Sequence, residues 1–590
     1  PGYVVSQIRA DGYLRVRQVS GRRSRRFHRD REGHPVRILT RQGPVPGVVL
    51  VNSVHLSNSR PEVLGEEHIY IDVGASSPAE AAALGIQRLD PLSYREIVVM
   101  ANGQVSGPVM GQRAGIWALW QLLGETAQQP QSERLVFAFV AQSRVGGRPL
   151  GRGGSGVLRR LKPEQILMLS AGEDQEAAAE GPRKVGRESS PWQALSLRVR
   201  HDGSSVETVS LKDLQEFQRA LRRELPGNEG SETPQVLLRP RIHIPSSGKG
   251  RPPHLKSAPL LERLVWARGV SGHEEPVREV IAEEIARLGK DFGTQIDEQG
   301  NLLVTVGEGN RTLLFIAHMD EVGLEVTAIR EDGLLETRRR GGFLRHLYRA
   351  TAVEVTTSRG LLPGVTLPGT ADEPRRSPIL IDVGARSLEE AEGLGVGVGD
   401  AATDPKQLLR LGAHRVAGRS LDDRVGCAAL LLALGRIDTE KLAHRVVFAW
   451  VTREEIGLEG ADYLARTLRP LPSTVFAVDT YVTADSPRED PRFAHVPLAG
   501  GPVLRAFDSS SVAPRSALDK VREIATRQGL PLQIGTMIGG GNDGSRFVLE
   551  GAVNCPLAWP QRCSHSRVET MDLRDLEQLA QLIAAIAVEY

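Results

Sequence analysis

The sequence has few cysteines, almost no net charge and no long apolar run, and each shortage argues against a class of protein. Only 3 of its 590 residues are cysteine, an odd number that rules out a disulfide framework and favours a reducing compartment, so we expect a cytoplasmic protein. Lysine and arginine number 74 against 72 acidic residues, which argues against nucleic acid or an anionic membrane as the main partner. No apolar run approaches the roughly 18 residues that a membrane span needs.

Aromatic residues are also scarce, at 4% of the chain, which argues against the stacked aromatic cleft of a glycosidase. The chain begins at Pro1 rather than methionine, so the sequence does not exclude a leader that was removed. Its length is considerable, and at about 150 residues per domain it predicts about four domains.

Comparison of the sequence with itself predicts two copies of one fold. The string IDVGA occurs at 71–75 and again at 381–385, and Pro-Gly-Val occurs at 46–48 and at 363–365. Further matches follow the same order: GYVVSQIRADG at 2–12 with GLEVTAIREDG at 323–333, VFAFVAQSRVG at 136–146 with VFAWVTREEIG at 447–457, and Val-Glu-Thr at 206–208 with 568–570. Such a series in one order is hard to attribute to chance.

The repeat also predicts where domains begin and end. In chain order we expect a first β domain at 1–100, the remainder of a catalytic-like domain at 101–225 and a linker at 226–254. A second catalytic domain is expected at 255–325 and 405–590, interrupted by an inserted β domain at 326–404. The linker is rich in Pro, Gly, Ser and Arg, with one short strand expected at Val236–Leu238.

In the second copy, buried apolar runs alternate with helical patterns, which predicts an α/β sheet with helices on both faces. The expected strands are Leu313–Ala317, Val446–Val451 and Val475–Val478, and the expected helices are Arg424–Leu434, Gly460–Thr467 and Leu573–Val588. Ser271, with Glu274 three residues later, predicts a capping box at the start of a further helix.

Acidic and histidine residues repeatedly follow these strands or precede these helices. In chain order the set is His318, Asp320, Asp422, Glu454, Glu455, Asp479 and His565. Sites in open α/β sheets form at the carboxyl ends of the strands, so we expect these side chains to converge. Each residue alone is a weak signal, since an aspartate at a strand end is usually a helix N-cap. The set together favours a functional site.

A pair of divalent metal ions would need this mixture of side chains. Two ions about 3.5–4 Å apart require a bridging carboxylate together with histidine and carboxylate ligands, and they lower the pKa of a bound water towards about 7. A further carboxylate must take the proton of that water and return it to the leaving amine. An acid two residues after a ligand histidine can fix its tautomer.

The strings that carry these residues resemble the tetrahedral-aminopeptidase and glutamyl-aminopeptidase family of co-catalytic metallopeptidases. They are AHMDEVG, GRSLDDRVG, TREEIGLEGA, AVDT and CSHSRVETMDLRDL, and the resemblance covers about 255–590. It implies an aminopeptidase acting on peptides, with an inserted, small β-barrel-like apical domain through which subunits associate as a homo-oligomer. The family's pocket loop has the variant form GGGNDGS at 539–545 here, which leaves the preferred side chain open.

The resemblance also implies a role for each residue. His318, Asp422 and Asp479 would hold one metal ion. Asp422, Glu455 and His565 would hold the other, so that Asp422 bridges the pair. Glu454 would be the general base that acts on the bridging water, and Asp320 would orient His318. Zinc is the first choice of metal, with cobalt and manganese as alternatives.

The first copy lacks these ligands at the matching positions and is expected to be truncated and catalytically inactive. Gly111 stands opposite Asp422, Ser143 and Arg144 opposite the two glutamates, Ser170 opposite Asp479, and Gly203 opposite His565, with His201 close by. Arginine at a ligand position would repel a cation. The expected role of this copy is to occupy the place of a partner subunit.

Two alternatives stay open at this point. A non-catalytic assembly or binding scaffold is favoured by the degenerate first copy and opposed by the full ligand set of the second. A related metal-dependent carboxypeptidase or deacylase would keep the metals and cleave a different bond.

Overall fold

The computed structural model describes most of both halves of the chain. The described residues are 3–19, 26–28, 32–56, 63–94, 97–126, 136–138, 166–172, 183–185, 192–201, 204, 206–223, 241–243, 257–290, 292–369, 377–490, 495–537 and 539–590. None of the helices within these ranges is both long and apolar enough to cross a bilayer.

Two closed barrels of six strands follow the same strand order. Around the first barrel the strands are Tyr3–Ile8, Leu14–Gln18, Tyr70–Asp72, Gly43–Val49, Pro35–Thr40 and Pro91–Tyr94. Around the second they are Gly323–Ile329, Leu335–Arg340, Ile379–Asp382, Gly360–Thr366, Ala352–Thr357 and Ala401–Thr403. A short helix follows IDVGA in each barrel, and its N-cap serine accepts a hydrogen bond of 3.2 Å from a glutamate N–H: Glu80 to Ser77, and Glu390 to Ser387.

The central sheet lies in the C-terminal half. Its strands are, in order across the sheet, Thr294–Ile296, Leu302–Val306, Arg445–Val451, Thr312–His318, Thr474–Val482, Leu557–Gln561, Val503–Phe507 and Gln533–Thr536, with Val553–Asn554 paired beside Thr474–Val482. The four middle strands are parallel. Their carboxyl ends therefore meet at one edge of the sheet, where functional side chains of this kind of fold converge.

Helices cover both faces of the central sheet. Every residue of strand Thr312–His318 is buried, because its alternate side chains enter separate cores. Leu313 and Phe315 pack in the core that contains helix Leu573–Glu589, whereas Leu314 and Ile316 pack in the core that contains helix Glu459–Thr467. The remaining helices are Pro78–Ala83, Met110–Thr126, Leu211–Arg223, Ser257–Trp266, Glu275–Arg287, Leu388–Gly393, Leu421–Arg436, Arg515–Arg527 and Gly544–Val548, with 3₁₀ turns at Glu66–His68, Arg345–Tyr348 and Thr439–Lys441.

Each half of the chain also contains smaller sheets outside its barrel. In the C-terminal half, Leu408–Leu411, Arg415–Gly418 and Glu569–Asp572 form one such sheet. In the N-terminal half the corresponding sheet has the order Glu207–Ser210, Gln104–Gly107, Val98–Ala101 and Arg241–His243. The other described strands form a sheet of Ile166–Gly172, Trp192–Arg198 and Arg183–Val185, and a pair of Arg26–His28 and Val63–Gly65.

The predicted α/β class with a small closed barrel is confirmed. The duplication and the domain limits stay predictions, and the expected strand at Val236–Leu238 lies outside the described residues. The capping box at Ser271 is wrong. The helix begins at Glu275 without a side-chain cap, and the Ser271 hydroxyl donates to Asp320 Oδ2 at 2.6 Å instead.

The two halves contact each other through the same pair of residue positions in both directions. The IDVGA aspartate of the first barrel, Asp72, pairs with Arg562 of the C-terminal half at 2.8 Å. The IDVGA aspartate of the second barrel, Asp382, pairs with Arg200 of the N-terminal half at 3.2 Å. A contact repeated in both directions is the signature of a two-fold interface. Here it occurs within one chain.

We predict unequal costs when each ion pair is broken by an isosteric amide. Asp72→Asn leaves a nearly buried arginine without one of its charge partners and should lower the free energy of unfolding by about 3 kcal/mol. The matched control is Asp382→Asn, whose arginine partner is 46% exposed, and it should cost less than about 1 kcal/mol. Both amides keep the carbonyl oxygen that accepts the N–H of Gly74 or Gly384. Equal losses in denaturant unfolding would contradict this assignment.

Candidate metal centre

Three side chains from different elements meet at the carboxyl edge of the central sheet. His318 ends one strand, Asp479 lies in the neighbouring strand, and Asp422 lies in the first turn of helix Leu421–Arg436. One ligand atom from each lies within 4.8 Å of the others. Histidine nitrogen with carboxylate oxygen is a donor set suited to zinc and similar divalent ions.

Asp422 also faces a second histidine. Its Oδ1 lies 3.2 Å from His318 Nε2, and its Oδ2 lies 3.5 Å from His565 Nε2. Glu455 Oε1 completes this second group at 3.4 Å from His565 Nε2. One carboxylate with an oxygen directed at each of two histidines is the arrangement that a bridged pair of ions requires. The residues present therefore fit a divalent cation between His318, Asp422 and Asp479, with His565 and Glu455 grouped beside the second oxygen of Asp422.

Burial makes the negative charge of these carboxylates costly. It raises the pKa of Glu455 to about 7, against the opposing pull of His565. It also raises the pKa of Asp479, against the pull of Arg505. Burial acts in the same direction on Asp422, but its contacts with both histidines outweigh it and hold the pKa of Asp422 far below its usual value. Bound cations would supply the positive charge that stabilises such a set in its ionised form.

Asp320 connects the first histidine to the two glutamates. His318 Nδ1 lies 3.4 Å from Asp320 Oδ1, which favours the tautomer whose Nε2 is free to bind an ion. The same carboxylate accepts hydrogen bonds from the backbone N–H groups of Glu454 and Glu455, at 2.9 and 3.1 Å. The Ser271 hydroxyl completes its set of donors. One buried aspartate thus orients three of the residues expected from the sequence.

Glu569 was not identified from the sequence and holds two of the proposed ligands by their backbones. Its carboxylate accepts the N–H of Asp422 at 3.2 Å and the N–H of His565 at 2.9 Å. The signal was present, because Glu569 belongs to the repeated Val-Glu-Thr string. In the other occurrence of that string, Glu207 accepts the N–H of Gly111 at 3.2 Å, and Gly111 is the residue that the sequence comparison sets opposite Asp422.

Arg505 was also missed. It is buried, and its guanidinium pairs with Asp479 Oδ2 at 3.0 Å and with Asp508 Oδ2 at 2.8 Å. It also donates to the carbonyl of Gly541, at 2.7 Å, in the glycine-rich loop 539–545. This arginine therefore fixes the orientation of a proposed ligand and ties the loop to the edge of the centre.

A third missed residue comes from the other half of the chain. The ring of His55, which follows the first barrel's strand Gly43–Val49, meets the ring of His565 edge to face with 4.7 Å between their centroids. The sequence did not identify His55 as a site residue, because no other proposed site residue lies near it in the sequence.

The N-terminal positions that the sequence comparison sets opposite these residues are described only in part. Gly111 lies in the first turn of helix Met110–Thr126, and Ser170 lies on strand Ile166–Gly172. Ser143, Arg144 and Gly203 lie outside the described residues. Within the residues that the structure describes, His318, Asp422 and Asp479 form the one group of three that is close enough to share an ion.

Comparison with known sequences identifies one family. The family model described as M42 glutamyl aminopeptidase matches residues 2–187 and 300–582. A putative aminopeptidase of Acetivibrio thermocellus is 31% identical over 329 residues, which are 55% of this chain and 96% of the relative. The lysyl aminopeptidase of Pyrococcus furiosus is 28% identical over 345 residues, 56% of this chain and 96% of the relative.

Solved structures agree with the sequence comparison. The TET1 peptidase of Pyrococcus horikoshii, described as able to assemble into a tetrahedron or a large octahedral shell, is 37% identical with a TM-score of 0.52 over 57% of this chain and 100% of its own. An aminopeptidase of Desulfurococcus kamchatkensis is 30% identical with a TM-score of 0.53 over 57% of this chain and 95% of its own.

We predict that Glu569 tunes metal affinity without touching a metal. Glu569→Gln cannot accept both backbone N–H groups, so Asp422 and His565 should lose their fixed positions, and affinity for divalent ions should fall about 10–100-fold. Competition with a chelator measures this change. Glu207→Gln in the first copy is the matched control and should leave metal affinity unchanged. Equal affinity in wild type and Glu569→Gln would contradict the assignment.

Proposed function

The chain belongs to the M42 glutamyl aminopeptidase family, and we propose that it is an aminopeptidase that uses two metal ions to remove N-terminal residues from peptides. The observation that carries the proposal is the Asp422 carboxylate, whose two oxygens face His318 and His565. The relatives that cover this half of the chain are named aminopeptidases, which favours that bond over the carboxypeptidase and deacylase alternatives.

The distances between side chains support the proposal of two ion positions. His318, Asp422 and Asp479 would hold one ion, and Asp422, Glu455 and His565 would hold the other. Divalent ions bound there would polarise the scissile carbonyl and lower the pKa of water, with zinc as the first choice and cobalt or manganese as alternatives.

Glu454 is the residue that we assign as general base. Asp320 fixes its backbone N–H beside the proposed ligand Glu455. Within the described part of the chain, the Glu454 side chain has no hydrogen-bond or ion-pair partner, so its carboxylate is free to accept a proton from water and return it to the departing amine. The neighbouring glutamate faces His565 instead, which gives adjacent residues separate roles.

The first copy, in this proposal, stands where a partner subunit would stand. The identical strand order of the two barrels supports a duplication, and so do the reciprocal pairs Asp72–Arg562 and Asp382–Arg200. Joining both copies in one chain makes their association intramolecular, with an effective concentration in the mM range for a short flexible linker. Association of several chains is a further proposal, which rests on the assemblies of the P. horikoshii relative.

The test is a panel of amino-acid p-nitroanilides, with free or blocked amino groups, assayed with zinc, cobalt and manganese. Free substrates should be hydrolysed and N-blocked ones should not, since an aminopeptidase recognises the free amine. Metal analysis should give two ions per chain, as expected for one dinuclear site. Four ions would show that the first copy binds metal. Cleavage of blocked substrates would favour a deacylase, and a chain without metal or turnover would favour a scaffold.

Replacing the proposed base should separate catalysis from metal binding. Glu454→Gln should retain both ions and lose about 10²–10⁴-fold in kcat, because an amide cannot accept the proton of water. Glu459→Gln, at an exposed position five residues on, is the control and should stay close to wild type. Activity of Glu454→Gln within a few-fold of wild type would show that another group is the base.

A further inference from the structure

The segment Leu50–Leu56 leaves the first barrel and crosses to the catalytic half. The Cys563 thiol donates to the carbonyl of Val51 at 3.4 Å, and the N–H of Ser53 donates to Glu489 Oε1 at 2.7 Å. The side chain of Asn52 exchanges two hydrogen bonds with Arg488: it donates to the backbone carbonyl at 2.6 Å and accepts from the guanidinium at 2.9 Å. These contacts fix the segment just before the histidine that lies two residues after Ser53.

That residue, His55, lies between the metal centre and the glycine-rich loop. Its ring meets that of His565, with 4.7 Å between centroids and an interplanar angle of 73°. A Cβ atom placed on Gly540 would lie 3.7 Å from His55 Nδ1 and 3.4 Å from Arg505 Nη2, so these two side chains flank the loop. His55 thus lies beside both the proposed ligand His565 and the glycine-rich loop.

The proposed centre has many acceptors and few free donors. Asp422, Asp479, Glu454 and Glu455 offer carboxylate oxygens, and the two ligand histidines would commit their Nε2 atoms to the ions. The guanidinium of Arg505 already donates to Asp479 and to the carbonyls of Thr480 and Gly541. In the part of the chain that the structure describes, the ring nitrogens of His55 have no hydrogen-bond partner. Its imidazole is the uncommitted donor beside the centre.

Resting on the proposed function, we propose that His55 of the first copy is a catalytic residue of the second, and that its ring N–H donates a hydrogen bond to the scissile carbonyl oxygen as that oxygen gains negative charge. A donor directed at developing charge in a site sheltered from water stabilises the transition state more than the bound substrate. The first copy then contributes the His55 imidazole to the active site, in addition to the surface that packs against the second copy.

The experiment measures hydrolysis by variants of the full-length, metal-loaded chain. The substrate is the p-nitroanilide that the wild type hydrolyses best. His55→Ala and His55→Phe should lower kcat about 10²–10³-fold with little change in KM, since removing one oxyanion donor has that effect. His55→Gln keeps an N–H donor and should recover most of the loss. The control is His68→Ala, in the same barrel, whose side chain is 58% exposed. All variants should retain the wild-type metal content.

A phosphinic dipeptide, which mimics the tetrahedral state, gives a readout that does not depend on turnover. Its affinity, measured by calorimetry, should fall in His55→Ala by about the same factor as kcat/KM, whereas affinity for the free amino-acid product should not change. His55→Ala within threefold of wild type would overturn the inference. So would a loss of metal from that variant, or a His55→Gln protein as impaired as His55→Phe.

The two proposals fail in different ways. An active wild type that depends on Glu454 but not on His55 overturns the role of His55 and leaves the aminopeptidase assignment intact. A wild type that hydrolyses no member of the panel overturns both.

Discussion

Several carboxylates and two histidines are buried together around Asp422. The surrounding strand ends, turns and helix start hold that cluster in place. A buried carboxylate is costly unless it is paired, hydrogen-bonded or bound to a cation. Asp320 receives the two glutamate N–H groups and the Ser271 hydroxyl, and Glu569 receives the N–H groups of Asp422 and His565. Strand ends and the first turn of a helix supply these N–H groups because they lie outside the regular hydrogen-bond ladder.

The N-terminal half contains one contact of the same kind without a carboxylate ligand beside it. Glu207 still accepts the backbone N–H at the start of its helix, although Gly111 offers no carboxylate there. That contact joins helix Met110–Thr126 to the four-stranded sheet that contains Glu207, and this structural use does not require a ligand. Glu569 combines both uses. In the proposed duplication, the surface that packs the halves together would therefore be kept where the proposed ligands are absent.

The sequence predicted the regular elements of the catalytic half well, because strands buried on both faces are continuous apolar runs. Expected strand Leu313–Ala317 is found as Thr312–His318, and expected helix Leu573–Val588 as Leu573–Glu589. Residues adjacent to those elements, such as His318 and Asp479, could be placed at the sheet edge for the same reason. Ser271 was misassigned, since an N-cap and a donor to a distant aspartate have the same local sequence. Arg505 and His55 depend on long-range packing, which periodicity does not reveal.

If the chain is a tandem duplication, as we propose, fusion of the two copies removes a constraint that symmetry imposes on a homodimer. In a symmetric pair, a side chain that reaches the partner's site is present in both subunits, because one gene encodes both. In this chain the halves can differ. At the same spacing from the Pro-Gly-Val matches, the first copy has His55 and the second has Asp372. The first barrel faces the half that holds the full set of proposed ligands, whereas the second faces the half in which the sequence comparison sets Gly111 opposite Asp422. Under the role proposed for His55, a histidine donor is useful only in the first direction, and the difference between the two sequences agrees with that proposal.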